Sequence, residues 1–85
     1  METAREVLKA YLLKEVIPDA DPEELTDTTA LVTTGILDSL ATIKLVAFLE
    51  ERFAIEIRPH EMDVENLNTL QSLAELVESK LRAAG

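Results

Sequence analysis

Residues 35–53 read GILDSLATIKLVAFLEERF, and this stretch decides the fold. After Gly35 it holds neither glycine nor proline, and its apolar residues recur at three- and four-residue intervals, which predicts a helix of about four turns. Turning 100° per residue places Leu45, Phe48, Leu49 and Phe53 on one broad sector with Val46 at its margin, and these are the expected core face. Leu40, Ile43 and Ala47 fall on nearly the opposite sector, with Lys44 and Glu51 beside them. A second apolar stripe has two explanations. Either the helix is central and covered on both sides, or the stripe is a docking face, an apolar strip rimmed by charge.

Upstream, Thr3 and Glu6 stand in capping-box spacing ahead of Ala4, Val7, Leu8, Tyr11, Leu12 and Val16, which predicts a first amphipathic helix ended by Pro18. From Pro18 to Gly35 the periodicity fails, and Asp19, Asp21, Glu23, Glu24 and Asp27 make the segment acidic. This is a long loop, with Asp21 and Pro22 set to cap and begin one short turn and Leu25, Leu31 and Val32 expected to pin it to the core. Downstream, Arg58 and Pro59 break the chain, Asp63 can cap a short helix through Leu67, and Thr69 can cap a last helix with the stripe Leu70, Leu73, Leu76, Val77 and Leu81. The expected fold is all-α: a small four-helix bundle of three main helices and one short one, with a long loop after the first. Residues 1–85 form a single domain, and the tail Ala83, Ala84, Gly85 is expected to fray.

Composition supports this. Eighty-five residues cannot support two cores, so an enzyme with separate cofactor and substrate domains is excluded. Aromatic residues are only 4% of the chain, so the core must be aliphatic, the usual stock of helix-on-helix packing. A formal charge of -9 argues against nucleic acid and anionic membrane surfaces and favours partners with basic patches. The absence of cysteine removes disulfides, thiolate-bound zinc and any thiol nucleophile of the chain's own. Met1 leads into a charged, helix-patterned stretch with no signal peptide or membrane span, so a cytoplasmic monomer is expected.

Asp38 and Ser39 fall where the second helix begins. A hydroxyl there lies close to backbone N–H groups without intrahelical partners, and those groups with the helix dipole favour an anion such as a phosphate ester on Ser39. Either Asp38 or Ser39 can cap the helix. Taken alone, the pair is an N-cap and nothing more.

The run LVTTGILDSL over residues 31–40, followed by LVAFLEERF over 45–53 and the segment 55–57, resembles the phosphopantetheine-dependent carrier proteins, which include acyl, peptidyl and D-alanyl carriers. The likeness covers helix order, the long first connection, the GILDSL motif and Thr69 at the start of the last helix. It implies that Ser39 receives 4'-phosphopantetheine from coenzyme A through a phosphopantetheinyl transferase, with Asp38 and Leu40 flanking the attachment. It also implies a cargo held as a thioester, loaded by a ligase or acyltransferase and passed to downstream acyl-processing enzymes. The chain itself performs no bond chemistry and has no catalytic residues. Leu40, Ile43 and Ala47 correspond to the family's partner-facing surface, with Lys44, Glu50 and Glu51 around them. Carriers of fatty acid synthesis commonly place acids where this chain has Ala41 and Lys44, so the resemblance points to polyketide, nonribosomal peptide or aminoacyl transfer metabolism. A general fatty acid carrier and an unmodified acidic helical adaptor are the alternatives.

Other constellations carry less. Asp19, Asp21 and Glu23 have the spacing of a calcium loop, but Glu24 stands where its glycine is required and Ala30 where its last acid is required. His60 has no second histidine or cysteine with which to hold a metal and is read as a surface residue. No metal site is expected.

Overall fold

The computed structural model describes residues 3–84, all of them helix, turn or loop. Four α-helices are present: α1 (Ala4–Tyr11), α2 (Ser39–Phe53), α3 (Val64–Leu67) and α4 (Leu70–Ala84). The fold class is therefore all-α with three main helices and a short one, as the periodicity predicts.

Each helix start rests on a side chain the sequence marks for it. Thr3 Oγ1 accepts from the Glu6 amide at 3.2 Å, Asp63 Oδ1 from Asn66 at 3.0 Å, and Thr69 Oγ1 from Ser72 at 3.0 Å. Such bonds satisfy amides that have no intrahelical partner. The end of α1 departs from the expected plain helix. Its last turn, Leu12–Val16, widens into a π-helix closed by the Ile17 amide on the Leu12 carbonyl at 2.8 Å. Pro18 has no N–H to extend the ladder, so the widened turn is where the helix stops. At the other terminus α4 spans Leu70–Ala84, while Gly85 of the tail lies outside the described residues, as does Met1.

The core lies among α1, α2 and α4, with α3 packed on α4. Leu8, Leu12, Leu45, Leu49, Leu70, Leu73 and Val77 are sealed from solvent. The expected core face of α2 packs on the core, with Val46 deeper than its margin position suggests and the two phenylalanines shallower. Val46 is buried, whereas Phe48 and Phe53 are only half-buried. Phe48 stacks on Tyr11 with ring centroids 4.3 Å apart, at the edge where α1 meets α2, and the Arg52 guanidinium lies 5.4 Å over the Phe53 ring. A bulky ring thus closes the seam while β-branched Val46 fills the interior. Leu81 is exposed.

The long loop is held as expected by Leu25 and Leu31, both buried, with Val32 packed against the same cluster. Asp21 Oδ1 accepts from the Glu23 amide at 3.0 Å and starts the 3₁₀ turn Pro22–Glu24. The Asp27 carbonyl receives the Gln71 amide at 3.1 Å, which ties the loop to the first turn of α4. After α2, Ala54 adopts the left-handed conformation at φ 56°, a strain a glycine would not carry. The chain then passes through the 3₁₀ turn Pro59–Glu61. The Glu61 carboxylate meets the Lys80 ammonium and accepts from the Arg58 amide at 3.0 Å. These two contacts, the lysine first, hold its pKa below the usual carboxylate range.

Candidate functional site

Ser39 owes its position to the loop before it. Gly35, at φ 83°, makes the backbone turn that other residues resist. The Leu37 amide then donates to the Leu31 carbonyl at 2.8 Å, and both leucines are buried. Asp38 follows in extended conformation as the N-cap of α2. Its Oδ1 accepts from the Ala41 amide at 2.8 Å and its carbonyl from the Thr42 amide at 2.9 Å. Between the two possible caps the structure selects Asp38. Ser39 becomes the first helical residue, exposed, and among the described residues no group hydrogen-bonds its hydroxyl.

Two clefts flank this point. One, of about 310 Å3, is lined by Ser39, Thr42 and Ile43 on one side and by Met62, Val64 and Leu67 on the other, with Val32, Leu37, Asp38 and Asp63 completing it. The second, of about 200 Å3, is lined by Tyr11, Glu15, Val16, Asp38, Leu40, Ala41 and Lys44. Asp38 borders both. Burial first, and the Glu15 carboxylate second, raise the pKa of the Tyr11 phenol.

The outer stripe of α2 is open to solvent. Leu40 and Ile43 are 61% and 60% exposed, and Ala47, Lys44 and Glu51 are exposed beside them. Glu50 is placed differently from its neighbours: its Oε2 accepts from the Ile57 amide at 3.0 Å, so the carboxylate is turned toward the segment after α2. That acceptor role is needed because the Ala54 turn brings the amide of buried Ile57 under the end of the helix. His60 is exposed in the turn Pro59–Glu61. Among the described residues no three His, Cys, Asp or Glu side chains come together as a metal-binding group, the Asp19, Asp21 and Glu23 segment included.

Two features of the site escape the helical-wheel reading. Val64 is 49% exposed and faces the larger cleft from α3, so it adds apolar surface close to Ile43. The signal was present in an apolar residue directly behind the cap Asp63, but a four-residue helix has too few positions to define a stripe. The second is Asn68, whose Oδ1 accepts from the amides of Leu31, Val32 and Thr33. A contact across 35 to 37 residues leaves no mark in local periodicity.

The attachment of a phosphodiester suits this geometry. Asp38 takes up the Ala41 amide while Ser39 stands exposed as the first residue of the helix, and the apolar wall of the larger cleft lies alongside.

A family model described as a phosphopantetheine attachment site matches residues 6–77. Among curated proteins, the chain is 42% identical over 77 residues to the lincomycin biosynthesis protein LmbN of Streptomyces lincolnensis, covering 91% of this chain and 27% of that one. It is 46% identical over 46 residues to the D-alanyl carrier protein of Lactococcus lactis subsp. cremoris (strain MG1363), covering 54% of this chain and 58% of that one. The chain thus spans about a quarter of the first relative and somewhat over half of the second. Among solved structures, a chain in a crystal structure of an FAD-dependent dehydrogenase superposes with TM-score 0.75 at 27% identity, covering 82% of this chain and 97% of that one. The structure of KstB-PCP in its apo form gives TM-score 0.64 at 26% identity, covering 86% and 80%.

Proposed function

The chain belongs to the phosphopantetheine-bearing carrier proteins, which convey cargo rather than catalyse its conversion, and on that premise we propose that Ser39 is the residue that takes the arm. The observation that carries the proposal is the division of labour at the start of α2, where Asp38 caps the helix and leaves the Ser39 hydroxyl exposed. 4'-Phosphopantetheine, when attached, supplies the thiol that holds cargo as a thioester, a group this chain has no cysteine to provide.

Every other task falls to the chain's own residues. Leu31 and Leu37 anchor the loop, Asp38 fixes the first turn, and Leu40, Ile43, Lys44, Ala47 and Glu51 offer the surface on which partners dock in turn. Glu50 contributes from the rim through the turn it holds. The partners are a phosphopantetheinyl transferase, then an adenylating ligase or an acyltransferase that loads an amino or carboxylic acid, then enzymes that modify or unload it. The names of the lincomycin and D-alanyl relatives support specialised or aminoacyl transfer metabolism. The dehydrogenase structure supports a flavin-dependent oxidation of tethered cargo as one downstream step. A cytoplasmic, monomeric, one-domain carrier fits these roles, and among the described residues no helix is long and apolar enough to cross a membrane.

Intact mass after coexpression with a broad-specificity transferase tests the assignment. The wild type gains one phosphopantetheinyl group and Ser39→Ala gains none. The mutant keeps its helical circular dichroism, because the cap it would be expected to lose belongs to Asp38. Unmodified wild type, or a modified Ser39→Ala, rejects Ser39 as the attachment residue.

A further inference from the structure

We infer that Asn68 is a positioning residue for attachment at Ser39, acting through the loop that delivers the serine; this rests on the reading of Ser39 given above. Asn68 closes α3 through its amide on the Val64 carbonyl at 2.9 Å. Its side-chain oxygen alone receives three consecutive amides, Leu31 at 3.2 Å, Val32 at 2.9 Å and Thr33 at 3.2 Å. Its main-chain carbonyl receives the Leu31 amide as well, at 2.6 Å. Leu31 in turn accepts from Leu37 at 2.8 Å, and the next residue is the cap Asp38. A short chain of hydrogen bonds therefore runs from the α3–α4 junction to Leu37, two residues before Ser39.

Among the described residues no other side chain takes up those three amides, which α-helix or sheet would otherwise have satisfied. Removing the oxygen takes the partner from the Val32 and Thr33 amides, while the Leu31 amide keeps the Asn68 carbonyl, and lets residues 31–34 rearrange. The step this governs is a displacement at phosphorus. Ser39 Oγ forms the new P–O bond and the pyrophosphate P–O bond of coenzyme A breaks. The hydroxyl proton passes to a base of the transferase, and 3',5'-adenosine bisphosphate leaves with the electron pair. Its rate depends on how closely Oγ is held in line, and misplacement by about 1 Å can cost on the order of a hundredfold.

The test is transfer kinetics with purified transferase and coenzyme A at a temperature where circular dichroism shows each variant folded. Asn68→Ala lowers kcat roughly tenfold or more while KM for the carrier stays near wild type, since the outer face of α2 is untouched. Asn68→Asp, which keeps the acceptor, restores kcat. Val77→Ala, a sealed core position on α4, loses stability without losing kcat. If Asn68→Ala does not fold, Asn68→Ser, whose hydroxyl is too short to span three amides, takes its place in the comparison. An unchanged kcat in the folded variant, or an equal fall in Val77→Ala, overturns the proposal by making Asn68 merely structural. Wild type that gains no mass at Ser39 overturns the attachment reading first, and this inference with it.

Discussion

The two faces of α2 carry the same kind of residue under opposite conditions. Leu45 and Leu49 are sealed at 0% exposure, while Leu40 and Ile43, on the same helix, stand at 61% and 60%. Hydrophobic stabilisation follows the area removed from water, at roughly 25 cal/mol per Å2, so the inner leucines hold the bundle together and the outer residues contribute little to it. The apolar area left outside is available for association instead. Leu40 and Ile43 border the two clefts that flank the start of the helix, so this unused surface begins where Ser39 is presented.

The largest effect that could break this contrast is on stability. Leu45→Ala and Leu49→Ala each lose about 2–5 kcal/mol in a denaturant titration, through lost transfer energy and a residual cavity. That is a large share of the roughly 5–15 kcal/mol available to a native domain. Ile43→Ala changes the unfolding free energy by less than about 0.5 kcal/mol, the usual range for a surface position. Equal losses at all three positions would show that both faces are covered in solution, and the outer face would lose its claim to partners.

A smaller effect sharpens the contrast from the other side. With stability unchanged, Ile43→Ala accelerates dissociation of the holo protein from its loading enzyme, measured by stopped flow or surface binding, because apolar contacts at the centre of an interface act mainly on the off-rate. Val64→Ala behaves in the same way, since Val64 lies across the larger cleft from Ile43. Unaltered dissociation in both variants would move the docking surface off this side of the molecule.

Most of the fold was legible because the devices that make it are local. Caps at Thr3, Asp21, Asp63 and Thr69 precede their helices by a few residues, and a 3.6-residue period reports burial wherever a helix is long enough to repeat it. The errors lie where neighbours in space decide. Val46 is buried, Phe48 is half-buried with its ring stacked on Tyr11 of α1, and Leu81 is exposed. At the site, GILDSL marked the place, but which of Asp38 and Ser39 caps the helix depends on backbone geometry no motif encodes. Glu50 reads as part of a surface charge rim until its bond to the Ile57 amide is seen. Asn68 was invisible for the same reason, since its partners lie more than thirty residues away.

The smallest effect concerns the charge on the outer face. Residues 36–53 carry three acids, Asp38, Glu50 and Glu51, against Lys44 and Arg52, so most of the -9 lies elsewhere in the chain. Of these acids, Asp38 turns one carboxylate oxygen to the Ala41 amide and Glu50 turns one to the Ile57 amide. Lys44 stays exposed beside Ile43. Basic enzymes that recognise acidic carriers should therefore be steered to this face weakly, and steering acts on association rate and its salt dependence. Lys44→Glu is expected to raise the rate at which a fatty acid malonyl transferase loads the holo protein at low ionic strength. The gain should shrink as added salt brings the Debye length toward about 3 Å at 1 M. Loading by an adenylating ligase from the same organism should fall or stay level under the same change. Efficient malonyl loading of the wild type, with no gain from Lys44→Glu, would mean that the charge of this face does not select partners, and a general fatty acid carrier would then be the better account.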